Sequence, residues 1–129
     1  MDSTTMVIPQ LPPEWVDEGE QLIRALDNAG IPIAAAFWLF EEDVGWRLVL
    51  ASSEVDQFGK RHFYSRVIPP LHSLPGPRVS SSYVTAMRTD DPIVAAVHRM
   101  VSTPGLTRVR LTGNVSNGVL IPDALVYRA

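Results

Sequence analysis

Ile31-Pro32-Ile33-Ala34-Ala35-Ala36-Phe37-Trp38-Leu39-Phe40-Glu41-Glu42-Asp43-Val44-Gly45-Trp46-Arg47-Leu48-Val49-Leu50-Ala51 is the stretch on which the reading of the fold turns. Two apolar runs, Ile31–Phe40 and Trp46–Ala51, flank a short acidic segment with a glycine near its end, which predicts a β-hairpin. With Phe40 opposite Trp46, one face carries Ala36, Trp38, Phe40, Trp46, Leu48 and Leu50; the other carries Ile33, Phe37, Leu39 and Val49. A hairpin wetted on one side alternates apolar with polar residues, and this one does not, so both of its faces must be covered. The expectation is a central strand pair with helices on one face and a partner, such as a second subunit, on the other. Trp38, Phe40, Trp46 and Leu48 are then the candidate interface residues.

Upstream, Trp15, Val16, Gly19, Leu22, Ile23 and Leu26 recur at helical spacing, with Pro13 suited to the first turn and Gly30 to the left-handed residue beyond the end. Residues 1–11 read as a flexible arm able to add an edge strand. Downstream, Ser52 or Ser53 caps a second helix that Gly59 weakens and Pro69-Pro70 ends, followed by an irregular proline-rich loop over 69–77. Ser82–Met87 reads as a short strand around Tyr83-Val84-Thr85. Asp91-Pro92 opens a third helix with Ile93, Val94, Val97, Met100 and Val101 as its stripe, and Pro104-Gly105 closes it.

The last quarter is a second hairpin. Asn117-Gly118 is the preferred pair for a two-residue type I′ turn and sets the register: Val115 faces Leu120, Gly113 faces Pro122, Leu111 faces Ala124 and Val109 faces Val126, an entirely apolar face. Asn114–Ile121, Thr112–Asp123, Arg110–Leu125 and Arg108–Tyr127 occupy the other. The order αββαβαββ predicts one α+β domain over residues 1–129: a two-layer α/β sandwich with a mixed, mostly antiparallel five-stranded sheet and about three helices.

Composition narrows function by exclusion. The 129 residues contain no cysteine, so disulfides, thiolate nucleophiles and cysteine-bound zinc are out. Met1 leads into Asp2-Ser3-Thr4-Thr5 with no basic region before an apolar run, and the longest apolar stretch is too short for a membrane span; a cytoplasmic location without membrane contact is expected. Charge is uneven: residues 1–56 carry eleven acids against two bases, −9, and residues 57–129 nine bases against three acids, +6. Such polarity can steer a partner or pair with itself.

Lys60 is the single lysine, and Gly59-Lys60-Arg61 lacks both the earlier glycine and the hydroxyl of a phosphate-binding loop. Asn114 stands where a nucleophile elbow around Ser116 needs glycine. His62, His72 and His98 have no His, Asp or Glu at helical ligand spacing, which leaves only a long-range pairing of His62 or His98 with Asp56 or Asp91. No catalytic residue, metal ligand or cofactor is therefore assigned. The positive constellation is Arg61, Arg66, Arg108 and Arg110 with Tyr127, a set able to meet anions or nucleic acid, or simply to pair across strands. The sequence thus predicts a non-enzymatic protein-interaction module, a homodimer or a small subunit of a larger bacterial assembly. Nucleic-acid binding by the arginine-rich C-terminal half is the alternative.

Overall fold

Strands β1 (Ala35–Glu41) and β2 (Gly45–Ala51) form the central ribbon in the computed structural model, which describes residues 8–75, 79–103, 105–116 and 118–129. They pair antiparallel with Phe40 opposite Trp46, the expected register. The remaining elements are α1 (Pro13–Asn28), α2 (Ser53–Phe58), α3 (Lys60–His72), a 3-10 turn (Ser81–Tyr83), β3 (Val84–Met87), α4 (Pro92–Met100), β4 (Val109–Ser116) and β5 (Val119–Arg128). Sheet order is β3-β2-β1-β5-β4, with β2 and β3 parallel and every other pair antiparallel. This is the mixed five-stranded α+β fold that the sequence predicts.

One expected helix is two. Gly59, at φ 90° and ψ 169°, occupies a backbone region open essentially to glycine alone and breaks the run into α2 and α3. Conversely, α3 does not end at Pro69-Pro70 but runs through both to His72. The two prolines remove amide donors, yet Leu71 is buried in the core, and the Ser73 N–H closes the last turn on the carbonyls of Pro69 and Pro70 at 3.1 and 3.2 Å. Packing here outweighs a propensity cost of about 3 kcal/mol. Residues 76 and 77 of the expected loop, and 1–7 of the expected arm, lie outside the described residues. From residue 8 the arm is docked without forming a strand: Leu11 is buried, and the Trp46 Nε1–H donates to the Pro9 carbonyl at 2.8 Å.

The second apolar face of the ribbon finds its cover within the chain. Because β3 and β4 are opposite edges of the sheet, the segment between them must cross its whole width. It does so on the face away from α1 and α3. Leu22, Leu26, Phe63 and Val67 from those two helices pack with Trp38, Leu48 and Leu50, whereas Val94 and Val97 of α4 pack with Phe37, Leu39, Val49 and Val126. Helix α4 is thus a partial third layer, anchored at its start by the Asp91 carboxylate, which accepts from the Ile93 N–H at 2.9 Å. The expectation of an interface at Trp38, Phe40, Trp46 and Leu48 is corrected accordingly: all four are 7 % exposed or less within the single chain.

The terminal hairpin keeps the expected register from Val109–Val126 to Ser116–Val119, but its faces exchange part-way. At the base, Val126 and Ala124 join the α4 side of the core; beyond Gly113 and Pro122, it is Ile121 that does so, while Val115 and Leu120 are exposed. Gly113 sits at φ 61° and Pro122 has no amide to donate, so the pleat fails at that rung and the tip turns over.

Candidate functional site

Tyr127 is fully buried rather than offered for stacking. Its hydroxyl donates to the Val16 carbonyl at 2.5 Å and accepts from Trp38 Nε1 at 3.0 Å, and burial pushes its pKa above the ordinary phenol value. Helix α1 can approach this closely because residue 19 is glycine: a methyl group there would stand 2.5 Å from the Tyr127 oxygen and 2.9 Å from Trp38 Nε1. Arg108 pairs with Asp17 at 2.9 Å and Glu20 at 3.1 Å. Arg110 forms two 2.5 Å bonds to buried Asp123, and its guanidinium lies 5.7 Å from the Trp46 ring centre. Arg66 grips Glu54 through two 3.2 Å bonds. Of the expected constellation, only Arg61 is without a partner among the described residues, so the set does not come together as one anion surface.

Most charge on the molecule is neutralised in this way. Among the described residues Arg24, Arg66, Arg88, Arg108, Arg110 and Arg128 each contact a carboxylate, and Arg47 and Arg99 donate to the hydroxyls of Thr85 and Ser116. The unpaired cations among them are Lys60 and Arg61, and the unpaired carboxylates are Glu14, Glu41, Glu42 and Asp43. Three of those four acids share the β1–β2 turn, and both cations share the α2–α3 elbow. The seven residues of β2, roughly 20 Å of strand, separate that turn from the start of α2, so unpaired charge of opposite sign collects at opposite ends of the ribbon.

The elbow is built by local chemistry. The Ser52 hydroxyl caps α2 by accepting from the Glu54 N–H at 3.1 Å and itself donates to the Pro32 carbonyl at 2.6 Å. Gly59 then turns the chain, leaving Phe58 61 % exposed, with its ring 4.9 Å from that of His62. Glu54 is shared between Arg66 and His62, the latter at 3.8 Å. Lys60 and Arg61 fall in the first turn of α3, where no acid offsets the helix dipole and cations are disfavoured. Arg61 was legible in the sequence. Phe58 was not, because it reads as one more apolar residue of a helix; the glycine after it was the signal that the helix breaks there. At the opposite end, Gly45 at φ 95° closes the turn, and Val44 is 57 % exposed beside the three acids.

The histidines do not meet the carboxylates proposed for them. Asp56 is taken by Thr89, accepting from its N–H at 2.9 Å and from its hydroxyl, and these bonds hold the Asp56 carboxyl below the usual range. Asp91 caps α4. His72 is exposed at the end of α3, and His98 lines a cavity of about 410 Å³ walled by Ala34, Ala35, Val94 and Ala95. Among the described residues no three His, Asp or Glu side chains are placed to hold a metal ion, and no helix is long and apolar enough to cross a membrane. No protein-family model, curated protein or solved structure matches the chain.

Proposed function

We propose that the chain is a protein-interaction module that pairs with a second copy of itself, the acidic β1–β2 turn of each subunit seated on the α2–α3 elbow of the other. One observation carries this reading: among the described residues, three of the four unpaired acids and both unpaired bases occur as two separate clusters, each beside an exposed apolar side chain, at opposite ends of the ribbon. Laid antiparallel, two copies bring Glu41, Glu42, Asp43 and Val44 of one against Phe58, Lys60 and Arg61 of the other, twice, and the two-fold axis closes the assembly. An arriving carboxylate also relieves the unfavourable placement of two cations at the start of α3. Asp56 is engaged by Thr89 and Asp91 caps α4, so neither carboxylate pairs with His62 or His98. Exposed ion pairs each contribute about 0.2–1 kcal/mol, so the dimer is weak and its strength falls with salt.

The test is charge reversal with complementation, read by sedimentation equilibrium at low ionic strength. Glu42→Lys with Asp43→Lys makes both ends basic, and Lys60→Glu with Arg61→Glu makes both acidic; each variant alone is expected to be monomeric. Mixed together they restore both contacts and dimerise. A parent protein that stays monomeric at low salt, or reversed variants that associate as well as the parent, would sink the proposal.

A further inference from the structure

Strand β3 begins one residue short of Arg47. Its first pairing is Val84 with Leu48, and the chain ahead of it turns aside through Ser81–Tyr83. The space left at this sheet edge is a cavity of about 400 Å³ with Val67, Ile68 and Val84 among its walls and Arg47, Tyr64, Ser81 and Ser82 supplying its polar groups. Pockets that take small molecules run from roughly 300 to 1,000 Å³ and combine apolar walls with a few convergent polar groups.

Arg47, Tyr64 and Ser81 each have a donor to offer, whereas the Ser82 hydroxyl is spent on Ser80 Oγ. Arg47 is half-buried, and its Nε–H donates to Thr85 Oγ1 at 2.7 Å, which fixes the guanidinium plane while its terminal nitrogens have no partner among the described residues. Arg128, the other half-buried arginine among them, is neutralised by Asp27 at 2.8 Å; Arg47 touches no carboxylate of the described residues. A guanidinium cannot shed its charge, and withdrawing it from water without a counter-charge is costly. The Tyr64 hydroxyl accepts from the Ala86 N–H at 2.9 Å, which leaves its own proton for another acceptor. Ser80 Oγ accepts from the Ser82 N–H at 3.2 Å and from the Ser82 hydroxyl at 3.0 Å, holding the turn, while the neighbouring Ser81 hydroxyl has no partner among the described residues. No acidic side chain lines the cavity.

We propose that this cavity binds the carboxylate of a small organic acid. The terminal nitrogens of Arg47 take the carboxylate oxygens, the Tyr64 and Ser81 hydroxyls complete the donor set, and Val67 and Ile68 cover the apolar body of the ligand. The site is independent of the charged ends through which the subunits pair.

Backbone amide spectra of the full chain, titrated separately with benzoate, benzamide and inorganic phosphate, test this. Benzoate is expected to give saturable shifts centred on Arg47, Tyr64, Ser81, Ser82 and Val84, benzamide none, and phosphate only weaker ones. Arg47→Gln is expected to weaken benzoate binding at least about tenfold. Ser81→Ala with Ile68→Ala, both at exposed positions, is expected to weaken it several-fold and serves as the deciding variant if Arg47→Gln does not fold. Absence of saturation with benzoate, equal shifts from benzamide, tighter binding of phosphate, or benzoate binding unchanged in folded Arg47→Gln would each overturn the assignment.

Discussion

At the scale of single residues, the Gly19–Trp38–Tyr127 contact is the most sharply constrained point in the core. Alanine ordinarily stabilises a helix interior over glycine by up to about 1 kcal/mol, but at position 19 its methyl would collide with the Tyr127 hydroxyl. Gly19→Ala is therefore expected to destabilise, by about 1–3 kcal/mol in urea melts, and adding Tyr127→Phe should recover part of the loss by removing the oxygen it strikes. A Gly19→Ala protein as stable as the parent would contradict the packing. Burial of Tyr127 also has a sign in pH. Its phenol keeps its proton in the folded chain where the unfolded chain loses it, above about pH 10, so the unfolded state binds fewer protons and stability falls as pH rises through that range. Tyr127→Phe should be less stable than the parent near neutrality, and its stability should fall less steeply above about pH 10.

Among the elements, two devices decide shape. The Gly59 break sets the α2–α3 elbow, and because its φ 90°, ψ 169° conformation is closed to a side chain, Gly59→Ala should cost about 1–3 kcal/mol although nothing crowds that position. The reversal in the terminal hairpin makes an equally sharp prediction. If the faces exchange at Gly113 and Pro122, Leu120→Lys should shift stability by no more than about 0.5 kcal/mol, while Ile121→Ala should cost about 2–5 kcal/mol. An uninterrupted pleat predicts the opposite ranking, so thermal melts of the two variants distinguish them. The edges also differ in how they are finished: β3 is sealed by side chains from α2 and α3, the Tyr64 oxygen on the Ala86 N–H and Asp56 on the Thr89 N–H just beyond the strand.

At the scale of the molecule, the pairing of most charges among the described residues leaves unpaired charge mainly at two ends. Self-association is expected to weaken as ionic strength rises from about 0.01 M to 0.15 M, where the screening length falls from about 30 Å to about 8 Å. Light scattering across that range checks it. An apolar interface would show little such dependence. Acid acts on the fold itself: Asp27, held below the usual carboxylate range first by its hydrogen bonds from Arg128, contributes stability that is present above its unfolded pKa near 4 and lost as pH falls below that. Asp27→Asn should flatten that part of the acid unfolding curve.

Local chemistry was enough to determine α1 from its apolar stripe, α4 from Asp91-Pro92, the Phe40–Trp46 pairing from two faces of matched apolar character, and the register of the terminal hairpin from Asn117-Gly118. Each depends on neighbours in sequence or on a period that sequence displays. The carboxylate partner of Arg110 was also foreseeable, because Asp123 lies diagonally opposite in that register. What no local pattern contains is where a crossover travels. Only the order of strands in the sheet, with β3 and β4 at opposite edges, sends α4 across the second apolar face and so covers Phe37, Leu39 and Val49, while α1 and α3 enclose Trp38, Phe40, Trp46 and Leu48 on the other face. The same holds for charge: sequence supplies the ions, but which of them neutralise each other, and which are left free at the two ends, is set by contacts between residues as far apart as Asp17 and Arg108 or Asp27 and Arg128.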